Sequence, residues 1–182
     1  MSFAPTPSVR GVPPTALYAE LHQVAHAVLH GESDLVANAA NLSALLWEHL
    51  PDLNWVGVYW VGGTPCLGRL GDATSPSQLP TELVLGPFQG KVACVRIDFE
   101  RGVCGAAARS RATQRVADVH DFPGHIACDP ASRSELVVPL LNGHDVVIGV
   151  LDLDSPRPGR FDATDQAGIE ALARLLTPGA AS

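Results

Sequence analysis

The chain has 182 residues, 46% of them hydrophobic, and sets 12 Lys+Arg against 19 Asp+Glu for a net charge of −7. That length buries one full core and is short for two, and the negative charge disfavours nucleic acid and anionic membrane surfaces as partners. No window reaches the roughly 18 apolar residues of a membrane span, and the opening MSFAPTPSVRGVPP lacks the apolar core of a signal peptide, so a cytoplasmic protein acting on small molecules or other proteins is expected.

Residues 1–14 carry Pro5, Pro7, Pro13 and Pro14 among small residues, which predicts a flexible tail before a single domain over 15–177. Leu17, Leu21, Val24, Val28 and Leu29 fall at helical spacing between Thr15 and His30, and Gly31 follows as a stop. A second helix, capped by Ser33, runs through Leu35, Ala39, Leu42, Leu46 and Leu50 to Pro51. Asn54 to Val61 (NWVGVYWV) is aromatic and β-branched, as a first strand should be. Alternation sets Trp55, Gly57 and Tyr59 on one face and Val56, Val58 and Trp60 on the other. Residues 62–80, rich in Gly, Pro, Ser and Thr, read as a loop that carries Cys66.

Glu82 to Leu85 and Lys91 to Ile97 read as two strands separated by a turn, GPFQG, with Cys94 in the second. Gly102 to Ser110 (GVCGAAARS) reads as a short helix with Cys104 in its first turn. Free amide groups and the positive end of the helix dipole lower a thiol pKa at that position, while the plain alternative is a small buried residue at a tight helix start. Gln114 to Pro130 has no period and reads as a surface connection ending near Cys128, with His120 and His125 nearby.

Ser134 to Leu141 and Val146 to Asp154 are the clearest strands, joined through NGHD. With a two- or four-residue loop, paired positions sum to an odd number, which puts Glu135 on the face of Asp152 and Asp154. A closing helix follows over Asp162 to Leu176. Together these elements predict an α+β fold with a mostly antiparallel sheet.

Three carboxylates on one sheet face repel each other unless a cation sits between them or one stays protonated. An ammonium group or a metal ion would relieve the repulsion. Zinc ligands usually come two to four residues apart, whereas Cys94, Cys104 and Cys128 are widely spaced and there is no CxxC; no metal and no cofactor are expected. A thiol relay needs only proximity in the fold, and three thiols beside an acid-lined pocket suit a cycle of sulfenic acid and disulfide.

The segments GPFQGKVACVRIDFERGVCGAA, DVHDFPGHIACD, SELVVPL and IGVLDLDSP, in that order, resemble the free methionine-(R)-sulfoxide reductases, which are single-domain GAF proteins. The resemblance implies a GAF-like six-stranded antiparallel sheet flanked by helices, a homodimer, and reduction of free methionine sulfoxide with thioredoxin as reductant. It matches Cys94, Cys104 and Cys128 to the family's redox cysteines. Cys128 corresponds to the nucleophile and Cys94 or Cys104 to the resolving thiol, with Cys104 as attacking thiol in an alternative assignment. Glu135, Asp152 and Asp154 correspond to the acidic pocket that holds the free amino group, and Trp60 is expected to contact the substrate methyl group. The loop at 62–80 is longer than the family pattern suggests. A GAF-type sensor of a small ligand is the alternative reading, and it leaves three placed thiols without a use.

Overall fold

The computed structural model describes residues 14–63, 73–75, 77, 79–124 and 129–177. The proline-rich tail before Pro14 lies outside them, as do Cys66, His125 and Cys128.

Six strands form one antiparallel sheet in the order β3-β2-β1-β6-β5-β4: β1 Trp55–Val61, β2 Glu82–Gly90, β3 Arg96–Asp98, β4 Gln114–Val116, β5 Ser134–Leu141 and β6 Val147–Ser155. The helices are α1 Pro14–Leu29, α2 Leu35–His49, α3 Gly102–Ser110 and α4 Ala163–Ala173. The α+β architecture expected from the pattern is the one observed. β1 and β6 are buried along nearly their whole length, as central strands covered on both faces must be. α2 packs on β1 and β2, α4 packs on β5, and α1 lies over α2 and α4. α3 packs on β5 and β6.

Helix ends follow the local chemistry. Asp34, not Ser33, caps α2, its carboxylate accepting from the amides of Val36 and Ala37. Asp162 and Asp165 form a capping box on α4. Asp165 also accepts from the Tyr18 hydroxyl at 2.7 Å and the Arg160 guanidinium at 3.0 Å, which ties α1 to α4.

Three sequence expectations are corrected. GPFQG is not a turn but the second half of β2, which continues to Gly90 opposite Trp55. β3 pairs only with Glu82 to Val84, and on the β1 side Pro87 falls in the register shift between Leu85 and Phe88, so it has no paired residue in either neighbouring strand. Gly86 is needed for a different reason: a Cβ there would lie 2.8 Å from the Trp60 ring. In consequence Lys91 to Val95 is a connection, not a strand, and Cys94 lies within it. Finally, the connection after α3 holds a short edge strand, β4, paired with β5, and a 3-10 turn at Val119–Asp121.

The β5–β6 hairpin keeps the odd register, with Glu135 opposite Asp154 and Val137 opposite Asp152. Its loop differs from the expected one. Leu141 pairs with Val147, leaving five residues between them, and a register shift at Leu140/Leu141 takes up Ile148 as an extra residue. An odd loop and a one-residue bulge each invert the pairing, and together they cancel.

Candidate active site

β1 and β6 bring the polar face together. Trp55 pairs with Asp154 and Gly57 with Asp152, so Trp55, Gly57, Tyr59, Asp152, Asp154 and Glu135 share one side of the sheet. α3 crosses that side and lowers Cys104 onto the acids. The Cys104 thiol donates to Asp152 Oδ2 at 3.3 Å and lies 3.9 Å from Glu135 Oε1. These residues line a cavity with Trp55, Tyr59, Lys91, Asp129, Ser132 and Asp154, and it holds about 560 Å³ of empty space counted out to its open mouth.

The aromatic wall depends on a glycine. Trp55 stacks on Phe88 at 5.4 Å between ring centroids and on Tyr59 at 5.7 Å. A Cβ at Gly57 would lie 2.4 Å from Phe88 Cβ and 2.6 Å from the Trp55 ring. Gly57→Ala is therefore expected to displace the indole and to cost about 1–3 kcal/mol of stability. A urea midpoint shift together with altered near-UV circular dichroism would show it, and an unchanged midpoint would show that the wall has slack.

Burial governs the electrostatics. Glu135 and Asp152 are each 5% exposed. Burial, then the charges of Asp152 and Asp154, push the Glu135 carboxyl well above the ordinary carboxylate range. Asp154 is raised by burial and then by Asp152. Burial lifts Asp152 to about 7, against hydrogen bonds from Cys104 and Glu135 that favour its ionised form. The Cys104 thiol is pushed well above its usual range, first by burial and then by Asp152 and Glu135. Of the two readings of Cys104, the small buried residue at a tight helix start is the one observed, and the lowered thiol pKa is not. Two adjacent acids in a dry site outweigh a dipole equivalent to roughly half a charge. At neutral pH Cys104 is a thiol and the acid cluster keeps protons.

A stability prediction follows from Asp152. Its carboxyl titrates near 4 when unfolded and near 7 when folded. Between those values the folded state holds the extra proton, so stability falls as pH rises through that window. Asp152→Asn removes the effect and is expected to gain about 1–4 kcal/mol relative to the parent between pH 4 and pH 8. Denaturant titrations at the two pH values measure it, and parallel pH profiles for the two proteins would contradict it.

Opposite the acids, Asp129 is held below the ordinary carboxylate range by the Ala131 amide first, with Asn54 and Lys91 adding to it. Lys91 Nζ lies 3.1 Å from Asp129, and Asn54 Nδ2 donates to both Asp129 (3.1 Å) and Ser132 (2.9 Å). The structure thus brings together Cys104, Glu135, Asp152 and Asp154 of the expected residues. Cys94 is half-buried and adjoins the cavity through Lys91, Val92 and Ala93, which line it; its carbonyl accepts from the Tyr59 hydroxyl at 3.1 Å.

Trp60 is not at the cavity. It is fully buried on the opposite face of β1, and its indole N–H has no hydrogen-bond partner among the described residues. Trp55 and Tyr59 occupy the wall expected of Trp60. Alternation along NWVGVYWV already separated these two sets, and Trp55, opposite Asp154, was the one to pair with the acids. Lys91, Asp129 and Ser132 were missed because they come from connections, where no period announces a direction.

The sequence profile described as GAF domain matches residues 66–178. The free methionine-R-sulfoxide reductase of Escherichia coli (strain K12) is 48% identical over 162 residues, covering 89% of this chain and 87% of that protein. The chain belongs to the free methionine-R-sulfoxide reductase family of GAF-domain proteins. A second relative, the free methionine-R-sulfoxide reductase of Saccharomyces cerevisiae, is 41% identical over 150 residues, 80% of this chain and 76% of that one. The crystal structure of the Neisseria meningitidis family member in complex with its substrate superposes with a TM-score of 0.77 at 41% identity, covering 97% of this chain and 92% of that one.

Proposed function

We propose that this protein reduces free L-methionine (R)-S-oxide to L-methionine, with Cys128 as nucleophile and thioredoxin as the recycling reductant. The observation that carries the reading is the pair of buried acids Glu135 and Asp152, with the half-buried Asp154, beside Cys104 in a cavity that opens to solvent. An acid set of this kind suits a small cation whose neighbouring group needs a proton. Free methionine sulfoxide is such a molecule: its ammonium group pairs with ionised carboxylates, and its sulfoxide oxygen accepts from a carboxyl kept protonated by burial.

Attack by Cys128 is supported by its match to the family's motif and by its place in the chain next to Asp129, a residue of the cavity wall. Its thiolate attacks the sulfoxide sulfur as the oxygen takes a proton; the oxygen ends on Cys128 as a sulfenic acid and methionine departs. A second thiol then displaces water to form a disulfide, and a dithiol of thioredoxin reduces that disulfide back. Cys104 is in place to donate as a thiol. The charge that keeps it protonated also favours Cys128 over Cys104 as first attacker.

The test is NADPH consumption coupled through thioredoxin and its reductase. Free methionine (R)-sulfoxide is expected to turn over, whereas the S epimer and an N-blocked, peptide-bound form are not, because the first misplaces the oxygen and the second lacks the ammonium group. Equal turnover of all three would defeat the reading. Binding of free methionine sulfoxide with no turnover under any reductant would favour a ligand-sensing GAF module.

A further inference from the structure

The same cavity has a second kind of ligand set. Cys104 Sγ and one oxygen each of Glu135 and Asp152 lie within 4.8 Å of one another, all three buried. The sulfur stands 3.3 Å from Asp152 Oδ2 and 3.9 Å from Glu135 Oε1. Around a tetrahedral zinc ion, with bonds of about 2.0–2.3 Å, neighbouring ligand atoms stand roughly 3.5 Å apart. The two sulfur–oxygen separations already fall near that spacing, and the two oxygens, within 4.8 Å of each other, need only close the remainder to share an ion. A further observation points the same way: although Asp152 Oδ2 accepts from Cys104, its Oδ1 is buried and has no hydrogen-bond partner among the described residues, whereas buried carboxylate oxygens ordinarily find one.

The donor set selects among cations. One sulfur with two carboxylates suits a borderline divalent ion such as zinc. Calcium and magnesium want six or more oxygen ligands and gain nothing from a thiol. We propose that the reduced cavity is a binding site for zinc, held by Cys104, Glu135 and Asp152, and that the ion excludes the amino-acid substrate. On binding, the Cys104 thiol and any protonated carboxyl release their protons to solvent, and the sulfur and oxygens form bonds to the ion. Two carboxylates and a thiolate carry three negative charges, of which the divalent ion offsets two. Oxidation of Cys104 to a disulfide removes the sulfur ligand, which makes the site specific to the reduced protein. Exclusion of substrate rests on the reductase reading; ion binding itself does not.

The full chain, reduced by a phosphine and freed of metal, is titrated with cobalt(II) and then zinc(II). A near-UV thiolate-to-cobalt absorption is expected at one equivalent and is lost as zinc displaces cobalt. Cys104→Ser is expected to abolish the band, and Glu135→Gln to keep it while weakening zinc by at least about tenfold against a chromophoric chelator. The competing surface site is the pair His26 and His30 on α1, whose rings lie 5.7 Å apart. The double variant His26→Ala, His30→Ala is expected to keep the band and the affinity. A band that persists in Cys104→Ser, or disappears in the histidine variant, overturns the site. In turnover assays zinc is expected to raise the KM for free methionine sulfoxide with kcat unchanged. A protein that binds the ion in this way yet reduces no methionine sulfoxide keeps the site and refutes the reductase reading. One that turns over but shows no band refutes the site alone.

Discussion

Cys128→Ser is expected to abolish methionine release in a single turnover with free methionine (R)-sulfoxide, lowering the rate by more than about 1,000-fold, the scale on which loss of a covalent nucleophile is felt. Three of the four cysteines match the family's redox thiols, and the acid cluster keeps Cys104 protonated, so it is a poor first attacker. Cys94 is half-buried and is not among the residues lining the cavity. Serine at 128 keeps the shape and loses the nucleophile. Loss of the resolving cysteine is expected to do the reverse, sparing the first turnover and stopping the second. Rapid mixing of reduced protein with substrate, with methionine quantified in the quench, separates the two. A full-strength first turnover from Cys128→Ser would move the attack to Cys104.

The second large effect is expected at the acids. Amide replacement at Glu135, Asp152 or Asp154 should each lower kcat/KM by about 10²- to 10⁴-fold, the range of a lost general acid or of a severed buried charge pair. The split between the two constants tells the roles apart. A carboxylate that grips the ammonium group shows its loss in KM, and one that protonates the sulfoxide oxygen shows it in kcat. A methionine sulfoxide analogue without its amino group gives a further check, since it should be indifferent to the first kind of replacement and sensitive to the second. Wild-type kcat/KM in all three variants would remove the acids from the chemistry.

Much of this site was legible before any coordinates. Period-two alternation in SELVVPLL and VIGVLDLDS located Glu135 with the aspartates, because strand geometry leaves a side chain only two directions. The inference survived an error about the loop: five residues and a bulge at Ile148 produce the same parity as the expected even loop. Other features were not legible, for identifiable reasons. GPFQG has turn composition, yet its glycines serve the indoles of Trp55 and Trp60 within a strand, and composition does not tell a close approach from a bend. Which of the two readings of Cys104 holds was not legible, because helix position is local and readable, whereas the opposing acids arrive from β5 and β6 by tertiary packing. Trp60 was preferred over Trp55 although alternation gives each a face; which face meets the cavity is decided by β6.

The depth of Cys104 divides traffic at this molecule by size. With 4% of its surface exposed, its sulfur is reachable by an amino acid, an ion or a small thiol entering the cleft, but not by the active-site rim of another protein, which needs an open sulfur to form a mixed disulfide. Under the proposed reduction, a protein donor is therefore expected to attack the partner sulfur of any disulfide that Cys104 forms, which releases Cys104 without touching it. Small thiols would face no such restriction, and a comparison of the two donor classes would show which sulfur the protein donor takes.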